Sequence, residues 1–202
     1  MTSRVNLVTR APLPEYLRPT PHVDHGHSAV RALVEARGWA ALDAVGAARA
    51  AFTFVRDEVQ HSWDVRSHRV TRTASEVLVH REGLCYAKSH LLAALLRHLG
   101  VPSGLAYQRL TAGDTQEGGY VTHGLNTVFL EGRWIRLDAR GNKPGVQAEF
   151  SLGDERLAFG ARPEMGERDY DENFADVHPT VARALESGDD LYDLIERLPD
   201  EL

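Results

Sequence analysis

One cysteine, one histidine and one aspartate, met in that order along the chain, are the residues most able to do chemistry. Cys85 is the only cysteine, and it follows Gly83 and Leu84 at the start of a leucine-striped segment typical of a helix. A thiol attacks as a thiolate, and the unpaired N–H groups of a helix N-terminus lower its pKa and can stabilise an oxyanion. We therefore expect Cys85 to be a nucleophile. The alternative is a small buried apolar residue, the commoner role of a lone cysteine beside a leucine-rich helix.

His123 and Asp138 lie at the mouth of a predicted hairpin. His123 falls in one predicted strand (residues 121–130), and Asp138 follows the next (residues 133–137). If Glu131-Gly132 is a two-residue turn, antiparallel pairing brings Asp138 close to His123. An aspartate placed there would hold the imidazole tautomer and stabilise its charged form.

The elements that must position these residues predict an α+β fold, in which N-terminal helices and the nucleophile helix pack on an antiparallel sheet and short helices follow. We expect the first helix to be capped by Asp24 or Ser28 and to end at Gly38. Thr73 or Ser75 should cap a short helix before Cys85. The other predicted helices cover residues 43–60, 85–99, 179–188 and 189–198, and a further strand covers residues 103–110.

Composition narrows the class of protein. Hydrophobic residues make up 43% and charged residues 26% of the 202 residues, which is typical of a globular domain. The net charge of -6 argues against nucleic-acid binding and against attraction to anionic membranes. No apolar run suits a signal peptide or a membrane span. A single cysteine forms no internal disulfide, so we expect a reducing, cytoplasmic setting.

Several of these segments resemble the core of transglutaminase-like proteins, and especially of their bacterial members. The resemblance is carried by Gly83-Leu-Cys85, by Leu99-Gly-Val-Pro102, by Thr122-His123 and by Gly132-Arg-Trp-Ile-Arg-Leu-Asp138. It covers residues 45–140 directly. We expect one domain over residues 1–202, with an extended N-terminal arm at residues 1–22 and a C-terminal extension at residues 141–202.

The resemblance implies a papain-like fold and a thioester mechanism. By it, Cys85 is the nucleophile, His123 the general base and acid, and Asp138 the orienting residue. The implied substrate is a peptide, a protein or a small amide, with hydrolysis more expected than cross-linking. No phosphate loop or dinucleotide fingerprint appears, so we expect no cofactor. The alternative is a binding module that keeps the fold without turnover.

Substrate contacts are harder to assign. Many relatives place a small residue and a tryptophan after the histidine, whereas this chain has Gly124 and Leu125. Trp63, His61 and Tyr86 are the candidate substrate-binding residues.

Two polar clusters have competing interpretations. Histidine and carboxylate side chains can bind zinc, but the spacing of one N-terminal cluster fits no established ligand pattern, and we predict no metal site. That cluster contains His22, Asp24, His25 and His27. The acidic stretch of residues 164–172 is most simply a solvated loop, and alternatively an edge of the active-site cleft.

Overall fold

Helices precede and follow an antiparallel sheet in this computed structural model, which describes residues 5–113 and 115–202. The helices of the described chain are α1 (Ser28–Arg37), α2 (Ala44–Glu58), α3 (Ala74–His80), α4 (Cys85–His98), α5 (Pro179–Glu186) and α6 (Leu191–Ile195). The strands are β1 (Val8–Thr9), β2 (Gln60–His61), β3 (Glu82–Gly83), β4 (Ser103–Thr111), β5 (Tyr120–Leu130), β6 (Arg133–Leu137), β7 (Arg168–Asp169) and β8 (Glu172–Asn173). The predicted α+β class is confirmed.

The helix ends follow local capping chemistry. Thr73, one of the two predicted caps, is the N-cap of α3, and it forms a capping box with Glu76. Gly38 ends α1 in the left-handed conformation, with φ of 64°. The predicted N-cap of α1 was wrong, because the His27 side chain accepts the hydrogen bond from the Ala29 N–H.

The main sheet has the strand order β6-β5-β4-β7, and all its pairs are antiparallel. Glu131 and Gly132 connect β5 to β6, and both have positive φ (51° and 76°). Two such residues in a two-residue turn match the right-handed twist of the strands, so the predicted hairpin is confirmed. Asn126 pairs with Leu137, the last residue of β6.

Helix α4 lies at the centre of the core. Leu91, Leu92, Leu95 and Leu96 are fully buried, and the helix contacts α2 and α3 as well as β4 and β5. Burying a leucine contributes on the order of 1.5–3 kcal/mol, so these contacts fix the position of the first residue of α4, Cys85. No helix of the described chain is long and apolar enough to span a bilayer.

The two chain ends depart from their predictions. The N-terminal arm is not simply extended, because residues Leu13–Leu17 form a 3-10 helix and β1 pairs with β8. The acidic stretch is not a solvated loop throughout, because Glu167 is buried against Arg162 and Thr111. Buried carboxylates need such partners, which the charge pattern alone does not reveal.

Candidate active site

Cys85 is the first residue of α4 and is partly exposed. Leu84 precedes it as an N-cap with no side-chain hydrogen bond, so no capping side chain occupies the N–H groups of the first turn. The backbone just before Cys85 is closely packed, since a Cβ on Gly83 would lie 3.0 Å from Thr71 Oγ1. The pairing of β2 with β3 also holds this segment in place, because His61 pairs with Gly83.

The thiol interacts with His123 and with the backbone of Gly124. Burial alone would raise the Cys85 pKa, but the charge of His123, a hydrogen bond to its ring and the Gly124 N–H together lower it. These are the surroundings that favour a thiolate.

His123 is held from the other side by Asp138. The distance from His123 Nε2 to Asp138 Oδ2 is 2.9 Å, and both side chains are buried. Because Nε2 contacts Asp138, Nδ1 is the ring nitrogen that remains for the interaction with the thiol. Burial would lower the His123 pKa, but the charges of Asp138 and Cys85 outweigh it and raise the pKa to about 10. These surroundings therefore favour the imidazolium form of His123.

Two backbone N–H groups also hold the Asp138 carboxylate. Its Oδ1 accepts from Arg140 N at 3.0 Å, and its Oδ2 accepts from Ala158 N at 3.1 Å. Burial would raise the Asp138 pKa, but His123 and these N–H groups lower it. Each of the three groups in this row, Cys85, His123 and Asp138, therefore has its pKa shifted towards the charged form.

Gly124 allows the helix to approach the strand. A Cβ at this position would come within 2.8 Å of Tyr86 Cδ1 and 3.2 Å of Tyr86 Cα. The Tyr86 hydroxyl donates to the Thr122 carbonyl, on the other side of His123 in sequence. A larger side chain at position 124 would collide with Tyr86, which explains the glycine after His123.

The segment at Ala158 and Phe159 supports the site, and the sequence interpretation missed it. Phe159 meets the His123 ring edge-on, with ring centroids 5.2 Å apart. Its only sequence signal was a short apolar patch, Leu157-Ala-Phe159, in an irregular region. No periodicity connects such a patch to a particular histidine.

The three predicted substrate-binding residues lie in different places. Trp63 is 45% exposed and packs on Tyr192. His61 is largely buried, and burial followed by the Arg140 charge keeps its pKa well below the usual value. Tyr86 is only 1% exposed and lies in the hydrophobic core, and its contact with substrate stays a prediction.

Asp64 connects the β2 end to the Asp138 loop. Both of its oxygens accept from Arg140, at 2.7 and 2.9 Å, and Oδ1 also accepts from Lys143 at 2.7 Å. Burial would raise the Asp64 pKa, but these two cations hold it well below its usual range. Because the Arg140 N–H contacts Asp138, this ion-pair network helps to fix the carboxylate behind His123.

Strand β6 pairs with β5 only as far as Asn126. Further along β5, a residue of the C-terminal segment binds the strand. Thr122 N donates to the Pro199 carbonyl at 2.8 Å, one residue before His123. Leu202 N donates to the Tyr170 hydroxyl at 3.2 Å, so the chain end is also held. The C-terminal segment therefore lies beside the row of Cys85, His123 and Asp138.

The N-terminal histidines are not assembled into a ligand set. Among residues 5–113 and 115–202, no group of three or more His, Cys, Asp or Glu side chains could hold a metal ion. Asp24 accepts from Ser75 N, His27 caps α1, and His25 packs near His98. These residues serve helix ends and the core instead.

Comparison with known proteins relates one segment of this chain to a family. Residues 40–139 match the family model of the transglutaminase-like superfamily. No curated protein matches the chain.

Two solved structures are similar to part of this chain. One is described as a candidate cysteine protease from Cytophaga hutchinsonii, with 16% identity and a TM-score of 0.47 over 68% of this chain and 46% of that one. The other is a TGase, with 16% identity and a TM-score of 0.45 over 69% of this chain and 37% of that one. The chain thus spans less than half the length of either protein.

Proposed function

We propose that this chain, whose residues 40–139 belong to the transglutaminase-like superfamily, is a cysteine enzyme that acts on an amide or peptide bond through a thioester. The observation that supports this most directly is the row of Cys85, His123 and Asp138, in which each group favours the charged form of its neighbour.

In the proposed acylation step, the Cys85 thiolate attacks the substrate carbonyl carbon and forms a C–S bond. The N–H groups at the start of α4 stabilise the negative oxygen that results. The His123 imidazolium then gives its proton to the leaving nitrogen, and the C–N bond breaks to release an amine. Asp138 keeps the ring oriented throughout.

In the proposed deacylation step, His123, now neutral, takes a proton from water while the water oxygen attacks the thioester. Collapse of the second tetrahedral intermediate breaks the C–S bond, releases a carboxylic acid and restores the ion pair of Cys85 and His123. We propose water as the usual acceptor. An amine in its place would give a new amide and make the enzyme a cross-linker.

Trapping of the acyl-enzyme tests the proposal. The protein is incubated with a peptide pool at low pH, quenched in acid and examined by mass spectrometry for an acyl group on Cys85. We expect the adduct in the wild type, and its absence in Cys85→Ser and His123→Ala. Intact, folded protein that never acquires an acyl group from any peptide or amide would contradict enzymatic activity and favour a binding module.

We also propose a reducing compartment such as the cytoplasm. A partly exposed nucleophilic thiol is usable only while it stays reduced.

A further inference from the structure

The Cys85 thiol and the C-terminal segment bind the same edge of β5. Asn126 is the last residue of β5 to pair with β6, counted from the hairpin turn, and every second N–H of a strand points to the same edge. The next such N–H belongs to Gly124, and it donates to the Cys85 thiol. The one after that belongs to Thr122, and it donates to the Pro199 carbonyl at 2.8 Å. Pro199 therefore occupies the hydrogen-bonding position that follows the thiol.

This spacing limits how far a substrate can extend along β5. A strand rises roughly 3.3 Å per residue, so the N–H groups of Gly124 and Thr122 are about 7 Å apart. Extended peptides bind a free sheet edge through such backbone groups. A peptide that lies along this edge from Cys85 advances roughly 3.3–3.6 Å per residue and meets Pro199 after about two residues.

The same part of the chain also contacts the element that leads into the nucleophile helix. The β2–β3 pair comes directly before Cys85, and Trp63 follows β2 by two residues. The Trp63 ring packs on Tyr192 of α6, with ring centroids 5.8 Å apart. Residues 192–199 therefore connect the β2 side of the site with the strand that bears His123. A segment that joins these two elements crosses one end of a cleft between them.

Surface contacts hold the residues after Pro199 against the sheet. Glu201 pairs with Arg168 at 2.9 Å and with Arg109 at 3.7 Å. Arg109 Nε also donates to the Asp200 carbonyl at 3.1 Å. The side chains of Glu201 and Arg168 are half exposed, and ion pairs of this kind are individually weak. Reversal of the Glu201 charge should therefore release the segment without unfolding the sheet.

We propose that residues 199–202 close one end of the substrate cleft, so that the enzyme accepts at most about two substrate residues on that side of the scissile bond. The substrate class is then a short amide or one end of a peptide chain, and bonds far from a chain end are excluded. This specificity rests on the proposed cysteine chemistry.

Affinity labels of two lengths test the closed end, and alkylation requires no turnover. One series carries a chloromethyl ketone at the carboxyl end of one or six alanines, and the other carries an iodoacetyl group at the amino end. The two series extend in opposite chain directions from the thiol. In one series only, we expect the long label to alkylate wild-type Cys85 at least about tenfold more slowly than the short one.

Equal rates for the two lengths in both series would overturn the proposal. Because labelling needs only a reactive thiol, this outcome is distinct from the failure of the cysteine chemistry, which appears as a lack of acyl-enzyme on Cys85.

Glu201→Lys identifies the segment as the cause of the discrimination. A positive charge facing Arg109 and Arg168 should release residues 199–202, and hydrogen exchange at the Thr122 amide should accelerate. The long label of the discriminating series should then react at least about fivefold faster, with the short label unchanged. Glu196→Lys is the matched control, because it makes the same charge change at an exposed residue just after α6 and should keep the wild-type rates.

A second change covers the case in which the Thr122 amide stays protected in Glu201→Lys. Tyr170→Phe removes the hydroxyl that accepts from Leu202 N at 3.2 Å, and the double variant should release the segment. Faster exchange at Thr122 without faster reaction of the long label would overturn the proposal, because the segment would then be free and the cleft still closed.

Discussion

Gly124 lies against Tyr86 so closely that an added Cβ would be 2.8 Å from the tyrosine ring and 3.2 Å from its Cα. The first turn of α4 and the strand that bears His123 are therefore in direct backbone contact. Since Cys85 precedes Tyr86 and His123 precedes Gly124, this contact also sets the separation of the thiol and the imidazole.

Replacement of Gly124 should separate the two groups. Gly124→Ala forces the α4 terminus or β5 to shift, which we expect to destabilise the fold by about 1–3 kcal/mol and to slow alkylation of Cys85. Urea unfolding and the iodoacetamide rate measure these effects. Gly26→Ala is the matched control, because nothing lies within 4 Å of a Cβ at Gly26. Equal behaviour of the two variants would contradict the role of this contact.

The pH dependence of thiol alkylation should report the ion pair. Because His123 lowers the Cys85 pKa, iodoacetamide should react with Cys85 below pH ~8.5, the ordinary thiol pKa, and the rate should fall as the thiolate is protonated. In His123→Ala the half-maximal rate should move upward by about 1–2 pH units, since burial is then opposed only by the Gly124 N–H.

Cys85 is the only cysteine, so the reagent reports on it alone. The exposed His80 provides the control, and His80→Ala should keep the wild-type profile. A wild-type midpoint at or above that of His123→Ala would rule out the ion pair.

Replacement of Asp64 should destabilise the fold, because Asp64 pairs with Arg140, whose N–H holds the Asp138 carboxylate. Asp64→Asn leaves the buried Arg140 guanidinium without a full counter-charge, and loss of one partner of a buried pair costs about 3–5 kcal/mol at most. The Asp64 pKa is lower in the folded protein than in the unfolded chain. The ion pairs of Asp64 therefore stabilise the fold fully above the unfolded pKa, and this stabilisation is lost as the pH falls through the folded pKa. The free-energy difference from wild type, measured by urea unfolding, should therefore shrink in acid.

Asp57→Asn is the matched control for this change. Asp57 pairs with Arg56 at a position where its side chain is 44% exposed, and such surface pairs contribute about 0–1 kcal/mol. An Asp64→Asn variant no less stable than Asp57→Asn would refute the network's role.

Lys88 should reduce stability at neutral pH. Burial lowers its pKa from 10.5 to about 7, so the folded state disfavours the ammonium form that the unfolded chain holds. Burying an ammonium costs free energy that an apolar side chain of similar length avoids, and this gain is set against the loss of the hydrogen bond from Lys88 Nζ to the Val59 carbonyl. We expect Lys88→Met to be as stable as wild type or more so at pH 6–7, with the difference declining as the pH rises from about 7 towards 10.5.

His123 also stabilises the fold in a pH-dependent way: its contribution is present below the unfolded pKa of the imidazole and is lost as the pH rises through about 10. Because the wild type and Lys88→Met both contain His123, this contribution cancels in the difference between their stabilities. Lys143→Met, at a side chain that is 41% exposed, should show no such pH-dependent gain. A gain for Lys88→Met that grows with pH would have the wrong sign.

The sequence alone determined the local parts of the site. Thr73 and Glu76 specify a helix start, and the leucine spacing after Cys85 specifies the central helix. The register of β5 and β6 follows from Glu131 and Gly132, because a two-residue turn with positive φ at both positions permits one pairing of the flanking strands. The closeness of His123 and Asp138 is a consequence of that short-range geometry.

Only the tertiary structure decided what surrounds this row. Ala158 and Phe159 reach Asp138 and His123 from an irregular segment, Asp64 binds Arg140 across 76 positions of sequence, and Gln108 becomes a neighbour of His123 through strand pairing. Periodicity and capping act within a few residues of the chain. Contacts between loops depend instead on which buried polar groups remain unpaired once the elements have packed, and this is known only when the whole chain has folded.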